Sequence, residues 1–218
     1  RIIFFSFTND AVNELRHRID NEVKITTIHS FTSSILGKLG KFKPIVTFYD
    51  FIGWYREKKK PSFKDPRKVR EDYYKNIEKF YEEGAAISSS FSSYKLQFYD
   101  GVKSPKPNFY DYYVAFLKET NSRDFSDMLI DTEKLTKDPQ HYQFFNGMYD
   151  YIFIDEYQDT SQSQVRMLSA LFGGGHPVMA VGDPCQAIYT WRGASAGTIG
   201  TFEKYFPKSA GQSGADLF

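Results

Sequence analysis

Apolar positions follow two regimes along this chain. Toward either end they come as short runs: residues 1–5 (with Ile2-Ile3-Phe4-Phe5), 23–28, 151–154 (Tyr-Ile-Phe-Ile) and 177–181 (Pro-Val-Met-Ala-Val). Runs of this length, rich in β-branched and aromatic residues, predict strands buried in a parallel sheet. Helical spacing follows the runs. Residues 10–19 put Ala11, Val12, Leu15 and Ile19 on one face, a second helix opens at 27–31 and ends near residue 39, and a third follows Ser161, a suitable N-cap. That third helix carries Val165, Leu168, Leu171 and Phe172 on its apolar face and is stopped by Gly173-Gly174-Gly175. Strand and helix in alternation predict an α/β fold.

From Pro44 the strand signals stop. Residues 48–55 predict a helix, and Phe109, Tyr112, Tyr113, Phe116 and Leu117 recur at helical spacing as a core stripe. The serine-rich 88–93 and the Lys-Ser-Pro-Lys-Pro of 103–107 predict loops. Residues 45–122 therefore form a mainly helical insertion in an α/β domain made of 1–44 and 123–218. Between residues 56 and 79, ten basic residues face five acidic ones, a local charge of +5. Such a run commonly marks a solvated helix face.

Bulk properties change this picture little. A chain of 218 residues can form one or two domains. Its net charge of +1 says nothing about partners, because a nucleic-acid binder needs positive charge only along one groove. Cys185 is the single cysteine, so the chain has no internal disulfide and suits a reducing compartment. No apolar run reaches membrane-spanning length. We expect a cytoplasmic protein without a membrane partner. The chain starts inside a strand-like run and ends in a loop-like composition, which predicts an internal fragment of a longer protein.

The chemistry concentrates after the third and fourth apolar runs. Asp155 and Glu156 follow the third run at once, where open α/β sheets place their ligand groups. The fourth run ends in Gly182-Asp183, with Gln186, Tyr189, Trp191 and Arg192 beyond it. Two strands thus deliver polar residues to one edge of one sheet, the geometry of a nucleotide site.

These residues resemble a known family. Asp155-Glu156-Tyr157-Gln158-Asp159-Thr160 is similar to motif II (Walker B) of superfamily 1A DNA helicases, the UvrD/Rep/PcrA group. Residues 181–194, Gly-Asp-Pro-Cys-Gln-Ala-Ile-Tyr-Thr-Trp-Arg-Gly-Ala after Val181, resemble its motif III. Phe7-Thr8-Asn9 with the following helix resembles motif Ia, Thr27-Ile28-His29-Ser30-Phe31 motif Ib, and Asp124-Phe125-Ser126-Asp127-Met128-Leu129 the element preceding motif II, whose acids suit helix capping. Asp10 departs from the pattern, standing where relatives often carry Lys.

The resemblance implies a RecA-like P-loop NTPase sheet and an ATP-dependent helicase that moves along single-stranded DNA and unwinds duplex at junctions, in DNA repair or replication. It implies ATP and Mg²⁺ as cofactors and a nucleoid-associated protein. Asp155 would hold Mg²⁺, Glu156 would act as catalytic base, and Gln186 would sense the γ-phosphate. Phe7, Thr8, Asn9, Thr27, His29, Ser30, Tyr189, Trp191 and Arg192 would contact DNA, as could the basic insertion. The residues also admit plainer readings: Phe7 as core, Asn9 and His29 as cap or core. No Gly-x-x-x-x-Gly-Lys-[Ser/Thr] phosphate loop occurs in the 218 residues, so this stretch alone should not hydrolyse ATP. The rival expectation is a degenerate helicase-like module that binds DNA without ATP turnover. Intact Asp155, Glu156 and Gln186 argue against it.

Overall fold

A computed structural model describes residues 1–19, 21–186 and 200–207. Among them the elements run β1 (Ile2–Ser6), α1 (Asn9–Arg18), β2 (Val23–Thr27), α2 (Ile28–Lys38), α3 (Phe48–Lys58), α4 (Arg67–Glu82), α5 (Gly84–Tyr99), α6 (Tyr110–Glu119), α7 (Phe125–Leu135), α8 (Pro139–Asn146), β3 (Tyr151–Ile154), α9 (Gln162–Phe172) and β4 (Val178–Ala180), with a last short helix Phe202–Tyr205. The chain forms two compact units, Arg1–Lys41 with Met128–Phe218 and, second, Phe42–Asp127.

In the first unit the four strands form an all-parallel sheet in the order β2-β1-β3-β4. The chain order is scrambled because each parallel neighbour needs a crossover, and the one from β1 to β3 contains the whole second unit. The register pairs Ile3 with Ile152 and Phe5 with Ile154, and Ile152 and Ile154 with Val178 and Ala180. All six are buried on one face. There Phe5 meets Phe31 of α2 edge-on at 5.2 Å and Phe172 of α9 at 6.3 Å. On the other face Phe4 stacks on Phe153 at 6.2 Å, and both remain half-exposed. The apolar runs predicted strands buried throughout; instead burial alternates, and Tyr151 is 52% exposed.

Side-chain caps open the helices of this unit, and at α1 the cap is Thr8 rather than Asn9. Thr8 Oγ1 accepts the Ala11 N–H at the start of α1 (3.1 Å), and Thr27 Oγ1 accepts the Ser30 N–H at the start of α2 (3.2 Å). Ser161 and Gln164 close a capping box at α9. Along α1 only Val12 is fully buried, while Ala11, Leu15 and Ile19 are half-buried.

The second unit is helical and held by aromatic rings. Phe51 lies 5.4 Å from Tyr113, 5.5 Å from Phe48 and 5.6 Å from Phe80, and Phe91 lies 4.8 Å from Tyr113. Two sequence expectations change here. Residues 88–93 are not a loop but the middle of α5, because Ile87 and Phe91, four positions apart, are both buried in the aromatic cluster. That burial outweighs the weak helix preference of serine. The stripe of α6 buries Tyr113 and Phe116, yet leaves Tyr112 39% exposed beneath the Lys59 ammonium, 4.6 Å from its ring.

Asp124 and Asp127 cap α7, as their spacing suggested. Asp124 Oδ1 accepts the Asp127 N–H (2.8 Å) and Asp127 Oδ2 accepts the Asp124 N–H (3.1 Å). Lys95 Nζ bridges both carboxylates at 2.7 and 2.9 Å, and the Tyr113 hydroxyl donates to Asp124 at 2.8 Å. Burial alone would depress the Lys95 pKa, but the two carboxylates outweigh it and raise it.

Candidate active site

Every strand of a parallel sheet points the same way, so the four strand-to-helix turns lie along one edge. The strand order places the turns after β2, β1, β3 and β4 in that sequence. Thr27–Ser30 and Phe7–Asn9 therefore occupy one half of the edge. Asp155–Glu156 and Asp183–Gln186 occupy the other.

The second half is tightly tied. The Asp155 N–H donates to Phe5 O (2.9 Å), the Tyr157 N–H to Val181 O (2.9 Å), and the Val181 N–H to Ile154 O (2.9 Å). Glu156 is held between two amides pinned to different neighbours, and it adopts the left-handed conformation, φ 50°, ψ 45°. For a residue with a Cβ this costs on the order of 1–2 kcal/mol, a strain the flanking hydrogen bonds sustain. The 3₁₀ turn Tyr157–Asp159 follows, closed by the Asp159 N–H on Glu156 O (2.9 Å).

Asp155 is half-buried at the end of β3, and its pKa is raised, by burial first and then by the neighbouring Glu156 charge. Glu156 is exposed and accepts a 2.5 Å hydrogen bond from Gln158 Nε2. Asp183 is held below the usual carboxylate range, chiefly by the Gln186 side-chain amide (2.9 Å) and then by the Cys185 N–H (2.8 Å). Gln186 is exposed in the turn Pro184–Gln186.

Sequence reasoning gave no role to Gln158, although it lies inside the motif. It is 1% exposed, and its Oε1 accepts the Asp183 N–H at 3.0 Å. Gly182 makes the approach possible: a Cβ there would lie 2.6 Å from Gln158 Oε1 and 3.2 Å from the Gln158 and Tyr157 nitrogens. The available signal was a glutamine two positions beyond an acid pair and a glycine just past the neighbouring strand. Only their adjacency in space joins them.

On the other half of the edge, Thr8 and Asn9 are exposed and Phe7 is half-buried. The Thr8 and Thr27 side chains both serve as caps, and Thr27 also donates to Ser30 Oγ at 2.9 Å. His29 is half-buried at the start of α2, and burial lowers its pKa. A neutral imidazole could offer a hydrogen bond but no cation. Tyr189, Trp191 and Arg192 lie outside the described residues.

Mg²⁺ tolerates few protein ligands because it keeps several waters. Among the described residues no three His, Cys, Asp or Glu side chains converge as a metal cage. A half-buried carboxylate beside a second acid, disfavoured as an anion, suits a hydrated divalent cation shared with phosphates. Asp155 fits that donor. Also among the described residues, no helix is long and apolar enough to cross a membrane.

Residues 1–207 match the model of the UvrD/REP helicase N-terminal domain. The chain is 28% identical over 223 residues to the ATP-dependent DNA helicase PcrA of Bacillus subtilis, covering 96% of this chain and 30% of that protein. It is 31% identical over 228 residues to DNA helicase II of Rickettsia typhi, covering 94% and 33%. With a probable DNA helicase II homolog of Mycoplasma capricolum it shares 29% identity over 229 residues, covering 94% and 31%. The chain spans about a third of the length of these curated relatives.

Proposed function

The chain belongs to the UvrD/REP helicase family through that family's N-terminal domain, and on this premise we propose that it is part of an ATP-dependent DNA helicase, the half of a motor that couples nucleotide hydrolysis to single-stranded DNA. The observation that carries the proposal is the single sheet edge. Its β3–β4 half gathers Asp155, Glu156 and Gln186, and its β1–β2 half gathers Phe7, Thr8, Asn9, Thr27, His29 and Ser30.

Each residue then has a task. Asp155 would hold Mg²⁺, which would supply positive charge to the nucleotide's phosphates. Glu156, exposed and fixed by its backbone, orients or deprotonates the attacking water. Gln186 reads the γ-phosphate, exchanging its bond to Asp183 for one to the nucleotide. On the other half, the N-terminal turns of α1 and α2 receive DNA phosphates, and half-buried Phe7 presents a face to a base. Tyr189, Trp191 and Arg192, which follow Gln186 in the chain, contact the same strand of DNA. We place duplex junctions among the substrates and the protein at the nucleoid.

The test is Glu156→Gln in the complete natural polypeptide. DNA-stimulated ATP hydrolysis should fall by about 10³-fold or more, with nucleotide affinity within about twofold. Loss of binding in step with turnover would assign Glu156 a structural role.

A further inference from the structure

We propose that Gln158 is a positioning residue, whose side-chain amide ties the Glu156 carboxylate to the Asp183–Gln186 turn. This rests on the reading of Glu156 as the residue that acts on water.

Gln158 Nε2 donates to Glu156 Oε2 at 2.5 Å while Oε1 accepts the Asp183 N–H at 3.0 Å. The two partners fix the amide's orientation. Reversed, it would set an oxygen against a carboxylate and an NH₂ against an N–H, and both contacts would be lost. A carboxamide 1% exposed is costly unless both ends are bonded. Here the bonds reach two residues in one direction and 25 in the other. Space filling alone needs neither.

Gly182 supports the assignment. Its backbone lies outside the left-handed region, so another residue could adopt it. What its missing Cβ accommodates is Gln158 Oε1 and the turn backbone behind it. Beyond Gly182, Asp183 accepts the Gln186 side-chain amide. Gln186, Asp183, Gln158 and Glu156 thus form one hydrogen-bonded chain, two links of which pass through rigid planar amides. A ligand that draws Gln186 away loosens the Asp183 turn. Gln158 transmits that change to the Glu156 carboxylate.

The experiment is steady-state and single-turnover ATP hydrolysis with saturating single-stranded DNA, in the complete natural polypeptide. Gln158→Met keeps the length and bulk but removes both hydrogen bonds. It should lower kcat about 10–100-fold and leave KM for ATP within about twofold, the scale of a misplaced catalytic group. Combined with Glu156→Gln it should add less than about twofold, because residues acting as a unit are not additive. Gly182→Ala, which displaces the amide while leaving Gln158 in place, should reproduce the same split in milder form.

Unchanged kcat in Gln158→Met, or an equal further loss on the Glu156→Gln background, overturns the proposal while the reading of Glu156 stands. A fall in activity that only follows a lowered melting temperature reduces Gln158 to packing and overturns it too. Should Gln158→Met fail to fold, Gly182→Ala decides, and the absence of a split there overturns the assignment. If Glu156→Gln leaves turnover intact, the functional reading falls and this inference falls with it.

Discussion

The two compact units put their charged groups to opposite uses. In the helical unit the Lys95–Asp124–Asp127–Tyr113 cluster is closed: the ammonium is bonded to both carboxylates, and Asp124 receives a hydroxyl besides. In the sheet unit Asp155 is made costly as an anion by burial and by Glu156, and Glu156 itself occupies a strained backbone conformation. A closed network holds a fold. An edge whose carboxylate is disfavoured as an anion is prepared for a ligand that brings positive charge.

The contrast yields substitutions of opposite sign. The largest effect belongs to the aromatic core: Phe51 is fully buried against Phe48, Phe80 and Tyr113. Phe51→Ala should cost about 3–5 kcal/mol of stability in urea unfolding, and a cost below about 1 kcal/mol would mean a loosely packed helical unit. Lys95→Met comes next, at about 3 kcal/mol, because it leaves buried Asp124 and half-buried Asp127 without their cation. That cost should shrink as the pH drops into the carboxylate range, and a pH-independent cost would show that the charges are not what matters.

Asp155→Asn has the smallest effect and the reverse sign. Burial and Glu156 raise the Asp155 pKa, so the folded state carries a penalty that is absent below the unfolded value, about 3.9, grows as the pH rises from there, and is complete above the folded value. At pH 7 the variant should melt roughly 1–2 °C higher than the parent, and at pH 3.5 the two should coincide. The same variant should lose Mg²⁺-dependent turnover in the complete polypeptide. A lower melting temperature at pH 7 would make the Asp155 carboxylate a structural partner and break the contrast.

Much of this was legible because it is local. Apolar runs, Ser161 and the Asp124–Asp127 pair as caps, and the acids after β3 depend on neighbours within a few residues. Where the reading failed, a distant contact had reversed a local preference. The serines of 88–93 became helical because Ile87 and Phe91 are buried among rings from other helices.

By itself, the sequence determined the alternation of strand and helix and the residue types gathered at the strand ends, since a strand's exit and a helix's cap are set by adjacent residues. Tertiary structure decided the rest. Strand order is fixed by crossovers, and it placed the Phe7–Asn9 turn beside the Asp155–Glu156 turn across almost 150 intervening residues. The left-handed backbone of Glu156 arose from amides pinned to Phe5 and Val181. The link from Gln158 to Asp183 exists only because β3 and β4 are paired and Gly182 leaves room. Such contacts are set by distance in space, which no local pattern encodes.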